Sequence, residues 1–180
     1  RGARERVSAL LLAGLAALAA GVAAAAVPQA LVTGLRLQAV GALAVGTAGF
    51  WALADGDTAG ADFTSALTPH YGVDGLTGLF LGTLGLIAFP ALVFASAYVR
   101  PGKAGSATAA LAGAFVLALA GVLCARDALS FLLFWELMTL VPAAIILVGT
   151  ATESARRTVF TYVAITHLGG AGTWIAILLL

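Results

Sequence analysis

Charge is what this sequence has least of. Nine Lys and Arg and eight Asp and Glu make up 9% of its 180 residues, where a soluble domain carries about 25%. The net charge of +1 comes with no basic patch, which excludes a nucleic-acid backbone as partner. Cysteine is nearly absent. Cys124 stands alone, so the chain holds no internal disulfide and no cysteine-ligated iron–sulfur cluster, and it reads as a small residue in an apolar run. The two histidines, His70 in a polar stretch and His167 in an apolar one, do not make a zinc site. Gly-rich phosphate loops after a strand and nucleophile–base pairs at a readable spacing are missing too. No cofactor is expected.

Apolar residues fill the gap. They make up 62% of the chain, with a mean hydropathy of +1.07, which predicts an all-α, polytopic transmembrane bundle forming a single domain over 1–180. Six spans are expected, at 7–27, 31–54, 74–98, 104–124, 128–149 and 158–180, each close to the ~20 residues that cross ~30 Å of hydrocarbon. The charged start and the alanine-rich end of the first imitate a signal peptide. Its apolar core exceeds the 7–15 residues of such a segment, and further spans follow. Arg36 and Gln38 open the second span, where the arginine can snorkel. Phe50 and Trp51 close it, suiting an aromatic belt.

Residues 55–72 form the one long polar stretch, with Asp55, Asp57, Asp62 and His70 and no Lys or Arg. The spacing fits no EF-hand, and a solvated loop is expected. Asp74 stands where an N-cap belongs. Gly75, Gly78, Gly82 and Gly85 then share one helical face and would let another backbone approach. Pro90 and Pro142 each remove a ladder hydrogen bond, so bends are expected there. Short turns are expected at 100–103, at Arg126 and Asp127, and at 150–157. Six spans place the N-terminus and the acidic stretch on one face and Arg100, Lys103, Arg156 and Arg157 on the other, which the positive-inside rule makes cytoplasmic. Arg1, Arg4 and Arg6 oppose that orientation. The chain begins at Arg1 and ends at Leu180 inside an apolar run; a fragment of a longer protein is the expectation.

Glu136 is the anomaly. It is the only ionisable residue in 128–149 and lies roughly 12 Å deep at 1.5 Å per residue. An acid at a span centre costs roughly 2.5–3.5 kcal/mol on insertion scales. Two readings stay open: a proton or ion site, or a neutral or paired glutamate that glues helices. His167, about ten residues into the last expected span, reaches a similar depth on an antiparallel neighbour. A buried Glu and His can pass a proton along as nearby charge moves. Thr139, Thr161, Tyr162 and Thr166 are candidates to hold connecting waters. Against this stand a His167 bonded to a helix carbonyl and threonines bonded to their own backbones.

Three motifs carry a resemblance: G-V-D-G-L-T-G-L-F at 72–80, L-L-F-W-E-L-M-T-L at 132–140 and T-Y-V-A-I-T-H-L-G at 161–169. Over about 71–180 the chain resembles the antiporter-like membrane subunits of respiratory complex I, membrane-bound hydrogenases and multisubunit cation/proton antiporters. The histidine motif is similar to hydrogenase-4 component B and formate hydrogenlyase subunit 3. The first two spans match in hydropathy alone. The resemblance implies a fold of about fourteen helices with inverted repeats in the inner (plasma) membrane. Glu136 would match the family's essential glutamate, Asp74 would be structural, and a partner lysine would lie past Leu180. This chain holds neither that lysine nor a second half-channel. The implied function is proton translocation in a redox-driven complex, with the electron chemistry and its oxidoreductase activity in other subunits. A sodium/proton antiporter subunit and a non-transporting scaffold are the alternatives.

Overall fold

A computed structural model describes residues 2–56, 62–63, 68–150 and 152–179. Asp57, Arg1 and Leu180, on which expectations above rest, lie outside these residues, as does the side chain of Arg4. Among the described residues there are six α-helices: α1 Gly2–Ala25, α2 Leu31–Asp55, α3 Gly75–Tyr98, α4 Lys103–Cys124, α5 Ala128–Gly149 and α6 Glu153–Leu178. The first helix begins before the expected residue 7, so Glu5 and Arg6 are helical, and Pro28 opens a single 3-10 turn ahead of α2.

Five of these helices, α1 to α5, are long and apolar enough to cross a membrane. The sixth expected span is a helix too, less apolar than the other five: Glu153, Arg156 and Arg157 open it, and His167 and three glycines dilute its middle. Its start is corrected from 158 to Glu153, so most of the expected basic turn at 150–157 is helix. Thr152 caps it, its hydroxyl accepting from Ala155 N at 3.2 Å. Glu153 suits the positive end of the helix dipole.

Small residues build the core. A methyl group on Gly41 of α2 would sit 2.7 Å from the Gly14 carbonyl oxygen of α1, and one on Gly78 of α3 would sit 2.7 Å from the Gly49 carbonyl oxygen of α2. Without side chains in the way, the three backbones approach closely, the usual device where lipid removes the hydrophobic drive between helices. Of the four glycines expected on the α3 seam, Gly78, Gly82 and Gly85 meet α2, whereas Gly75 faces open space. Gln38 faces into the bundle. It is 0% exposed, and its amide donates to Ala109 O of α4 at 3.2 Å, a cross-helix bond worth about 0.6 kcal/mol in a membrane. The outward faces carry large apolar side chains, Leu86, Phe94, Phe160 and Leu168 among them.

The helix ends are tied at one pole. Residues 70–72 run antiparallel to the α4–α5 turn: Arg126 N donates to His70 O at 2.8 Å and Gly72 N to Cys124 O at 2.9 Å. This juxtaposition puts the acidic side of the chain and the α4–α5 turn at the same end, as the alternating topology requires.

Candidate functional site

Glu136 lies eight residues into α5, about 12 Å from its start. His167 lies fourteen residues into α6, about 21 Å from its start. Because α5 is 22 residues long, about 33 Å, the antiparallel His167 also falls about 12 Å from the pole where α5 begins. The earlier start of α6 makes this register closer than the sequence predicted.

The two side chains meet directly. His167 Nε2 is 2.9 Å from Glu136 Oε2, with no water needed between them. The other ring nitrogen, Nδ1, is 3.0 Å from Val163 O. A carbonyl oxygen only accepts, so Nδ1 carries a hydrogen. Nε2 and Oε2 then hold one proton between them, either as neutral histidine with carboxylic acid or as imidazolium with carboxylate. The two forms differ by one short transfer along a 2.9 Å line. Removing that proton would set two lone pairs face to face and undo the contact. The contact therefore needs one proton between the two atoms.

The second carboxyl oxygen has its own partner. Trp174 Nε1 donates to Glu136 Oε1 at 3.0 Å. Side chains on a helix lean toward its N-terminus, so the indole of Trp174 reaches back toward His167 while Glu136 leans toward the pole where α5 begins. Gly170 lies between His167 and Trp174 on this face of α6. It is buried, and a methyl group there would be 3.6 Å from Glu136 Oε1. The side chains of Glu136 and His167 keep 23% and 39% of their surface exposed, so the pair is open on one side.

The remaining sequence candidates fall around this pair in different ways. Thr139 donates to Glu136 O at 2.8 Å, Thr161 to Arg157 O at 3.0 Å and Thr166 to Tyr162 O at 2.9 Å. Each hydroxyl proton is thus committed to its own helix, and the lone pairs remain free to accept. Thr161 and Tyr162 line a shallow groove with Ser154, Arg157, Thr158 and Ile165; neither Glu136 nor His167 lines it. Pro142 is inside α5 and leaves the Met138 carbonyl without a ladder donor two residues past the acid.

Asp74 is the N-cap of α3, accepting from Thr77 N at 2.7 Å, and it belongs to a second cluster the sequence did not reveal. Arg126, 8% exposed, approaches Asp74 Oδ2 at 3.4 Å and donates to Thr77 Oγ1, Leu123 O and Ala125 O. Asp127, 0% exposed, accepts from Ser130 N at 2.8 Å as the N-cap of α5 and from His70 N at 2.6 Å. The Thr77 N–H holds the Asp74 carboxyl below its ordinary value, against burial, helped by the Thr77 hydroxyl and the Arg126 charge. Burial pushes Asp127 up, and the backbone N–H groups of Ser130 and His70 more than offset it, so this carboxyl also titrates low.

No protein-family model matches the chain, and no solved structure matches it. Two curated relatives do, both described as uncharacterized proteins of Mycobacterium tuberculosis, one from strain CDC 1551 / Oshkosh and one from strain ATCC 25618 / H37Rv. Each is 32% identical over 100 residues, covering 56% of this chain and 16% of the relative. The chain thus spans a small part of the length of the curated relatives it matches.

Proposed function

We propose that the chain is the proton-translocating part of a membrane subunit in a redox-driven complex of the hydrogenase or NADH/quinone oxidoreductase type, set in the inner membrane and working with other membrane and peripheral subunits. One observation carries this reading: an acid and a base that share one proton at 2.9 Å, about 12 Å along a helix otherwise free of charge. Ionisable groups inside a membrane are costly and by default mark a functional site such as a proton or ion path. The resemblance of 132–140 and 161–169 to antiporter-like subunits points the same way. In this reading Glu136 gains and loses a proton at Oε2 as charge shifts nearby, and His167 relays it. The electron chemistry sits elsewhere in the complex, and this chain supplies no redox centre.

The test is Glu136→Gln in the intact complex, reconstituted into vesicles. The expected result is normal assembly and normal electron transfer, with proton translocation reduced to the leak of empty vesicles. Undiminished translocation refutes the role. Lost assembly with unchanged coupling in the complex that does form supports a scaffold instead. Proton movement driven by a sodium gradient without any redox partner supports a sodium/proton antiporter subunit.

A further inference from the structure

We propose that Trp174 is the positioning residue of Glu136: its indole N–H holds Oε1 and leaves Oε2 as the one oxygen through which the proton passes to and from His167. The inference rests on the reading of Glu136 as the proton site, and it adds the group that fixes the carboxyl's orientation.

A glutamate side chain has three rotatable bonds, and a carboxyl has two equivalent oxygens. Left alone, it presents either oxygen to the base and samples several distances. Here the two oxygens have different partners. Oε1 takes the Trp174 N–H at 3.0 Å, and Oε2 faces His167 Nε2 at 2.9 Å. The indole nitrogen is a donor only, so it cannot exchange roles with the imidazole or accept the proton. It bonds Oε1 whether the group is the acid, whose carbonyl oxygen is Oε1, or the carboxylate. The transfer step is then fixed in atoms: the O–H bond at Oε2 breaks, the N–H bond at Nε2 forms, and the pair passes from neutral to oppositely charged with nothing added.

The helix face is arranged for this contact. His167, Gly170 and Trp174 recur at spacings of three and four, which is one stripe of α6. Gly170 at the centre lies against the carboxyl: a methyl group there would be in ordinary contact, 3.6 Å from Oε1 and 3.8 Å from the Trp135 indole nitrogen. A side chain longer than a methyl would crowd the carboxyl. Positional tolerance in proton transfer is small, because misplacing a reacting group by about 1 Å costs on the order of 100-fold in rate.

The experiment uses the intact complex with two variants at one position. Trp174→Phe removes the donor and keeps an aromatic ring. Replacing Trp174 with 3-benzothienylalanine keeps the bicyclic shape and exchanges only the N–H for sulfur, so a defect of folding is separated from the loss of the bond. Infrared difference spectra on titration report the Glu136 carboxyl, its bands assigned by their loss in Glu136→Gln. In both variants the protonated carbonyl band should move to higher wavenumber, the titration midpoint should shift, and translocation should fall about 10-fold or more while electron transfer continues. Bands and midpoint unchanged in the benzothienyl variant overturn the proposal. The two readings fail separately. If Glu136→Gln abolishes translocation and both variants at 174 behave as wild type, only the role of Trp174 falls. If Glu136→Gln translocates normally, the functional reading falls, and the infrared bands still decide whether the indole orients the carboxyl.

Discussion

Two ionisable clusters stand among the described residues, and they are built on opposite principles. At the pole, Asp127 is sealed from solvent and accepts from two backbone N–H groups, while Arg126 divides its donors among Asp74, Thr77 and two carbonyl oxygens. Backbone donors do not titrate, so at neutral pH these carboxylates are charged and the cluster has one state. In the mid-span cluster, Glu136 has one partner per oxygen, and one of the two is itself a base. That arrangement has two states of similar geometry. The packing around each matches the difference. In the apolar 18-residue stretch of each helix, 50% of α2 is buried against 11% of α5, so the Glu136–His167 pair sits on the loosely covered arm while the fixed charges bind the arm to the bundle. Charge in an apolar chain thus acts as a rivet where its partners cannot change protonation, and under the proposed function as a relay where they can.

The hardest test of the rivet is Asp127→Ala. It removes the cap of α5 and the hydrogen bond that holds residue 70, two charge-assisted bonds in a buried place. Bonds to charged groups are worth about 1.5–3 kcal/mol each, so a loss of about 3 kcal/mol is expected at the lower end of that range, read as a lower midpoint of thermal unfolding in nanodiscs. Wild-type stability would erase the contrast between the clusters. Acid gives a smaller and graded version of the same break. Asp74 and Asp127 have folded-state pKa values below their ordinary 3.8. A group depressed in this way contributes stability that is present above its unfolded value and lost as pH falls through its folded value. The unfolding midpoint should therefore stay level down to about pH 4 and drop below it, and Asp127→Asn should flatten part of that drop.

Different parts of this arrangement were legible in the sequence to different degrees. The five apolar helices follow from composition and length alone, and so does the level at which Glu136 and His167 meet on antiparallel helices. A helix rises uniformly, so residue number converts to distance along its axis. The start of α6 was missed because hydropathy sees Glu153, Arg156 and Arg157 as a turn, while these residues are good helix formers behind a threonine cap. Asp127 carries the same signature as Asp74, an aspartate directly before an apolar helix, and was readable by the same rule. Its bond to His70 was not, because 57 residues separate the two and local pattern holds no information about that contact. Trp174 lies between these cases. Its spacing of seven from His167 places it on the histidine's face, yet nothing in one sequence says which side of α6 meets α5.

The next comparison sets Glu136→Gln beside Asp127→Ala on the stability scale. Glutamine keeps the shape of glutamate, its carbonyl oxygen can still accept from Trp174, and its amide can donate to His167 Nε2. The unfolding free energy should change by less than about 1 kcal/mol, within the range of substitutions that leave a contact satisfiable, even where translocation is lost. A loss as large as that of Asp127→Ala would mean that the mid-span pair is also a rivet.

Thr152→Ala isolates the helix cap from burial. Thr152 caps α6 through one hydroxyl at 3.2 Å, on an exposed turn. Alanine removes the acceptor, but water reaches the freed Ala155 N–H, so only the cap preference is lost, about 1 kcal/mol. Asp127 and Thr152 do the same local job on neighbouring helices, so the difference between their alanine variants, about 2 kcal/mol by the values above, measures what burial and the second bond to residue 70 add. Equal losses at the two positions would show that Asp127 acts as a cap alone, and that the pole is held together by Arg126 and the glycine-packed helices.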